Sequence, residues 1–101
     1  MPLISDFEVI GSHVSTCVQS VHSVTVPSGA NGLLMQCIYN TIIFTYDGST
    51  PTADSGFRFQ ENVLGPDFFP VEPGTVLKFI EAGAGARLNY QFVHYTNGIL
   101  L

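Results

Sequence analysis

Hydrophobic and polar positions alternate along most of this chain. In Leu88-Asn89-Tyr90-Gln91-Phe92-Val93-His94-Tyr95, the residues Leu88, Tyr90 and Phe92 fall on one side and Asn89 and Gln91 on the other. That is the period of two which a pleated strand imposes. Val76 to Ile80 repeats it, with Val76 and Ile80 opposite Leu77 and Phe79. Leu33 to Tyr39 is apolar enough to predict a central strand, and Ile42 to Tyr46 is expected to pair with it across the short Asn40-Thr41 link. Asp6 to Ile10 predicts a short strand closed by Gly11-Ser12. His13 to Val26 predicts the longest β-type run, since Val14, Thr16, Val18, Val21, Val24, Thr25 and Val26 are all β-branched. Its period breaks near Ser20 and Val21, as a bulge or a tight corner between two strands would require. Phe68 to Val71 reads as an edge strand, because Pro70 cannot donate to a ladder.

Turn chemistry separates these runs: Pro27 to Gly32, Glu72-Pro73-Gly74, and Glu81 to Ala86. Gln60 to Asp67 predicts a loop with room for one helical turn. No stretch holds three turns of helical period with caps. About seven to nine short strands at roughly eight-to-twelve-residue spacing indicate an all-β fold. The expected architecture is a single-domain antiparallel β-sandwich over residues 1–101, jelly-roll-like, with short apolar terminal arms. The immunoglobulin pattern is missing, because the chain has no Trp and its two cysteines are close together.

The middle of the chain, Tyr39 to Phe59, organises the rest. Ile42, Phe44 and Tyr46 share one side of an extended segment, and Phe57 and Phe59 share one side of another, with Arg58 pointing away. Between them runs Asp47-Gly48-Ser49-Thr50-Pro51-Thr52-Ala53-Asp54-Ser55-Gly56. Asp-Gly is a turn signal, and Pro51 pushes Thr50 away from helical dihedrals. The segment exceeds a two-residue hairpin, so it is expected to be an ordered surface loop. Asp47, Gly48, Pro51 and Gly56 are its expected structural residues, with Asp47 accepting from nearby backbone amides and no metal required.

Phe44-Thr45-Tyr46-Asp47-Gly48-Ser49-Thr50-Pro51-Thr52, followed by Gly56-Phe57, resembles a Tyr-Thr-x-Asp-Gly-Ser/Thr-x-Pro-Thr element of small bacteriophage virion proteins. Those include capsid decoration or cement proteins and related head or tail accessory proteins. A similar string occurs in small β-sandwich modules appended to glycosidases. The resemblance covers roughly a fifth of the chain, and the element is a turn, so it carries over no catalytic residue.

Composition narrows the classes of function. Of the 101 residues, 46% are hydrophobic and only 11% charged, where an ordinary soluble domain carries about 25% charged residues. Such depletion is typical of permanent interfaces, and it points to self-association as a dimer or trimer. The net charge is −5, with Arg58, Lys78 and Arg87 the three basic residues. They are too few and too dispersed for phosphate neutralisation, which argues against direct nucleic-acid binding. No run approaches the ~20 apolar residues of a membrane span. Met1 to Asp6 lacks the basic start and apolar core of a secretion signal. The chain is thus expected to act where it is made, in a host cytoplasm, or to leave in a particle.

Candidate chemistry is sparse. Cys17 and Cys37 lie in apolar alternating runs, and two reduced, buried thiols are expected ahead of a disulfide. The two cysteines and three histidines show no metal-ligand spacing. No Ser-His-Asp string includes His13, His22 or His94, which favours structural roles. Asp47 and Asp54 offer too few oxygens for Ca²⁺. Arg58 could grip a carboxylate or sugar, though a solvent-facing strand arginine is the simpler reading. Tyr39, Tyr46, Tyr90 and Tyr95 could form a sugar platform or could simply pack. With no catalytic constellation, metal or cofactor implied, the expectation is a non-enzyme.

Two functions remain. One is a virion structural protein, a capsid decoration or cement subunit that binds itself and a major capsid protein or other virion component. The alternative is a small carbohydrate-binding β-sandwich module. The terminal residues Leu3, Ile4, Ile99, Leu100 and Leu101 are the expected subunit or capsid contacts, since exposed apolar side chains gain by finding a surface.

Overall fold

A computed structural model describes residues 4–62 and 65–97. Its strands are β1 (Ile4–Cys17), β2 (His22–Thr25), β3 (Gly32–Ile38), β4 (Ile42–Thr45), β5 (Phe57–Phe59), β6 (Asp67–Pro70), β7 (Val76–Glu81) and β8 (Arg87–Asn97). The pairings β1 with β8, β2 with β7, β3 with β6 and β4 with β5 are all antiparallel. Strands pair from the outside of the chain inward, like one long hairpin whose tip is the β4–β5 loop. Rolling that hairpin up sets β3 beside β8 and β4 beside β7. Two four-stranded sheets result, in the orders β1-β8-β3-β6 and β2-β7-β4-β5. This is the jelly-roll wrapping of a β-sandwich, and the central stretch of the sequence is its tip.

The core follows from the alternation. From the first sheet Leu33, Met35 and Cys37 of β3 and Leu88, Tyr90 and Phe92 of β8 face inward. From the second come Ile42 and Phe44 of β4, Phe59 of β5, and Leu77 and Phe79 of β7. Each fully buried Leu or Phe contributes roughly 1.5–3 kcal/mol relative to exposure. Asn62 ties the second sheet back to the first. Its backbone N–H donates to Cys37 O at 3.1 Å, and its Oδ1 accepts from Cys37 N at 2.7 Å.

Several local expectations are corrected. Gly11-Ser12 does not close a strand. It is a bulge inside β1, where the β8 register shifts between Ile10 and Val14 and Gly11 takes a φ of 76°. Ile4 and Ser5, expected in an arm, already belong to β1. The break near Ser20, by contrast, agrees with expectation: of its two expected forms the corner is found, with β1 in one sheet and β2 in the other. β4 does not pair with β3. The Asn40-Thr41 link crosses between sheets, after Tyr39 turns the chain with a φ of 76°. Asn40 secures the crossing, its Oδ1 accepting from Thr41 N at 2.9 Å and its Nδ2 donating to Ala84 O at 3.3 Å. Among the described residues of the Gln60–Asp67 loop there is no helical turn.

Candidate functional site

The hairpin tip is held by its own polar groups. Asp47 Oδ1 accepts from Ser49 N at 3.0 Å and from Ser49 Oγ at 2.6 Å. These bonds, the hydroxyl first, hold the Asp47 carboxyl below the usual carboxylate range. Gly48 has a φ of 85°, a conformation that side chains resist. Thr45, buried at the end of β4, donates its hydroxyl to Ser49 O at 2.5 Å. Further along, Thr52 and Ser55 exchange backbone bonds of 2.8 and 3.2 Å. Pro51 is fully buried, and both its Cβ and Ile43 Cγ2 lie against Gly56. The loop thus covers the outer side of β4, which is why every residue of that strand is buried.

At this end of the sandwich the aromatic core reaches the surface. Tyr90 stacks on Phe79 at 6.4 Å, and Phe79 on Phe44 at 6.0 Å. Phe44 then meets Phe57 at 6.1 Å, and Phe57 stacks on Tyr46 at 5.6 Å and 25°. Phe69, from the opposite sheet, meets Tyr46 edge-on at 5.7 Å. Phe44 is in the core, yet Phe57 is 59% and Tyr46 48% exposed. Two open hollows flank Tyr46. One, about 410 Å³, lies against Thr45, Asp47, Ser49, Ser55 and Phe57. The other, about 450 Å³, lies against Phe69, Val71, Glu72, Thr75 and Tyr95.

A second surface lies on the outer side of the first sheet. Register pairs Phe7 with Tyr95, Val9 with Val93, Gly32 with Val93, and Leu34 with Phe68, so these positions share one side. Contacts agree: Phe68 stacks on Phe7 at 5.8 Å and meets Tyr95 edge-on at 4.8 Å. A Cβ at Gly32 would fall 2.5 Å from the Phe68 ring and 3.1 Å from Val93 Cγ2. The missing side chain at Gly32 is what lets Phe68 lie across the sheet. Val9 is 62% and Phe7 46% exposed. On the opposite side of the same ribbon, Glu8 and its register partner His94 are exposed too.

The remaining candidates disperse. Cys17 is exposed rather than buried, because Val14, Thr16 and Val18 take the inward positions of that run. Its Sγ accepts from Arg87 Nη2 at 3.3 Å. Cys37 is buried, and both thiols are free. Burial, followed by the Glu61 charge, pushes the Cys37 thiol up to about 11. His13 bonds Asn89 Oδ1 at 3.3 Å, and His22 bonds the buried Tyr90 hydroxyl at 3.0 Å. Arg58 Nη2 donates to Ala53 O at 3.2 Å, inside its own loop. Of the four tyrosines, Tyr46 and Tyr95 border one hollow, Tyr90 packs inward, and Tyr39 stands exposed at the sheet crossing. Among the described residues no three His, Cys, Asp or Glu side chains converge as metal ligands. No described helix is long and apolar enough to cross a membrane. Leu3, Ile99, Leu100 and Leu101 lie outside the described residues, and Ile4 enters only through its backbone pairing with Asn97. Sequence reasoning missed the Phe7–Phe68–Tyr95 cluster, whose members are far apart in the chain and meet only through the register. In comparisons with known proteins, no family model, curated protein or solved structure matches this chain.

Proposed function

We propose that this chain is a virion structural protein, a decoration or cement subunit that self-associates as a dimer or trimer and seats on a capsid or related virion surface. The observation that carries the reading is an apolar cluster at one end of the outer side of the β1-β8-β3-β6 sheet. A solvated sandwich carries polar groups there. Gln36, Asn89 and Gln91 are such groups along part of this side, but at its other end Phe7, Val9, Leu34, Phe68 and Tyr95 gather, with Phe7 and Val9 the most exposed of them. An apolar cluster on the surface of a small chain marks a contact with another macromolecule. The 11% charged content and the turn element's resemblance to phage virion proteins support the same reading. Hydrogen bonds to Asn89 and Tyr90 give His13 and His22 structural roles in the sandwich.

Mass spectrometry of purified particles from the source of this sequence tests the proposal. The expected result is peptides of this chain at a level comparable to the capsid protein. Their absence from particles of a virus that encodes the chain overturns it. Sedimentation at micromolar concentration tests self-association separately, and a lone species at the monomer mass of 10.9 kDa at every concentration removes that part.

A further inference from the structure

The two hollows both border Tyr46; taken together as one groove with that ring as its ridge, they have a chemistry that selects a class of ligand. Its floor is aromatic and flat. Tyr46 and Phe57 stack 25° from parallel and are about half exposed, so the pair presents an open outer ring surface, a shelf rather than a box. A flat apolar shelf suits the C–H face of a sugar ring, whereas a quaternary ammonium is held by rings that enclose it. The shelf is supported from below, because Phe44 is fixed in the core and Phe69 abuts Tyr46 edge-on from the opposite sheet. Ordering it on binding therefore costs little side-chain entropy.

The rim is polar and acceptor-rich. Asp47 uses Oδ1 for Ser49, and no hydrogen bond to Oδ2 is made among the described residues. Its carboxyl is ionised at neutral pH, as the bonds from Ser49 hold it low. Glu72 stands exposed on the far side of Tyr46. Carboxylates at both ends of an aromatic shelf accept from paired hydroxyls, an arrangement in which a few placed polar groups set orientation on an apolar surface. None of the three cations borders either hollow, and Arg58 is engaged with Ala53. An anionic ligand would meet two carboxylates and no counter-charge. Both hollows fall within the ~300–1,000 Å³ of small-ligand sites, which leaves room for one sugar ring on each side of the ridge.

We propose that this groove binds a neutral oligosaccharide, with a sugar ring on the Tyr46–Phe57 shelf, its hydroxyls donating to Asp47, and the next ring on the Glu72 side. The site is distinct from the assembly proposal, because it lies at the hairpin tip and meets the apolar outer side only at its border, through Pro70 and Tyr95.

Amide chemical-shift titration of the labelled chain tests it, using maltotriose, cellotriose and tri-N-acetylchitotriose as separate probes up to millimolar concentration. The expected result is saturable shifts for at least one probe, centred on Tyr46, Asp47, Ser49, Phe57 and Glu72. Phe57→Ala and Asp47→Asn should each weaken that binding by about tenfold, and Phe7→Ser should leave it unchanged. Phe57 is at an exposed edge, so its variant is expected to stay folded, and its spectrum verifies this. No saturable shift with any probe overturns the proposal. So do shifts centred on Phe7, Phe68 and Val9, which would report a surface response. Tighter binding of tetramethylammonium at the same residues would replace the sugar with a cation.

Discussion

The outer side of the β1-β8-β3-β6 sheet and the hairpin tip both bring aromatic rings to the surface, but by different means. On the sheet, register alone lines up Phe7, Tyr95 and Phe68 across three strands, and the nearby polar side chains, Gln91 and Asn31, are spent on backbone groups. The result is broad and apolar, suited to another protein surface. At the tip, the rings are the continuation of the core through Tyr90, Phe79 and Phe44, and a loop with its own hydrogen bonds sets Asp47 and Ser49 beside them. The result is concave and mixed. The lesson is that exposed aromatic area has no single meaning; the polar groups fixed around it decide which class of partner it fits.

Each region depends on one glycine, and substituting them gives the largest expected effects. A Cβ at Gly56 would meet Ile43 Cγ2 at 2.5 Å and Phe44 O at 3.1 Å, at a φ of 132°. The obstacles include backbone, and the dihedral is one that side chains rarely adopt. Gly56→Val should destabilise by on the order of 3 kcal/mol or more, read as a fall in the urea midpoint. At Gly32 the obstacle is the Phe68 ring on the edge strand β6, at 2.5 Å. That ring can swing outward, so Gly32→Ala should cost only about 1 kcal/mol while disturbing the outer cluster. Equal losses at the two sites would mean that the sheet surface is as rigid as the tip.

The fold class and the tip were legible because they rest on local rules. Alternation over Val76–Ile80 and Leu88–Tyr95 gave both strands and sorted their residues correctly into two sides, Leu77 and Phe79 apart from Val76 and Ile80, and Leu88, Tyr90 and Phe92 apart from Asn89 and Gln91. Asp-Gly-Ser gave the Asp47 turn because that side chain bonds the backbone two residues on. What failed was non-local. Asn40-Thr41 reads as a hairpin link, and only the positive φ at Tyr39 and the bonds made by Asn40 carry the chain to the other sheet. The Phe7 and Val9 surface was hidden for a related reason. Alternation tells which residues share a side of a strand, not which side the core will cover, so Phe7 and Val9 face outward while Ile10 packs on the core. The groove needed both sheets, since Tyr46 and Phe69 come from opposite layers.

The two ends of the pH range separate the sheet from the tip. Burial raises the Cys37 thiol in β3 to about 11, from an ordinary value of 9.0. The folded state therefore holds the proton more tightly, and this contribution is complete below pH 9 and lost as pH rises toward 11. The loss should be on the order of 1–3 kcal/mol at the upper end. Tyr90, also raised by burial, adds a loss of the same sign at higher pH. Thermal unfolding of Cys37→Ala across pH 8 to 11 checks the assignment, with Tyr90→Phe as the companion. The alkaline decline should flatten in the first variant and persist near pH 10 in the second.

At the tip the sign reverses. Asp47 is lowered by Ser49, so its contribution is present at neutral pH and is lost as pH falls through its folded value, below 3.8. Asp47→Asn should shrink that acid limb. Gly48→Val tests the same turn without charge. A Cβ there would have only Val76 near, at 4.0 Å, so the cost comes from the φ of 85° and should be on the order of 1 kcal/mol. An unchanged melting temperature would show that the turn relaxes into another conformation, and a melting temperature that rises with added calcium would show that the turn is a metal loop.

The smallest effect on stability should come from the outer sheet surface, and there it is the contrast that is informative. Phe7 and Val9 are exposed on an edge strand and lie outside the core cluster. Replacing both with Ser should change folding stability by no more than about 0.5 kcal/mol. If this surface is where copies or a capsid meet, the same change should weaken association by far more than it weakens the fold, because buried interface aromatics contribute most of the binding energy. Deleting Ile99–Leu101, which follow β8 beyond its pairing with the start of β1, should act in the same direction. Sedimentation of wild type, the double Ser variant and the truncation, each beside its unfolding curve, separates the cases. Association lost with stability retained places the contact on this surface. Stability lost in step with association makes these residues part of the fold, and retention of both moves the contact elsewhere, with the hairpin tip the next surface to substitute.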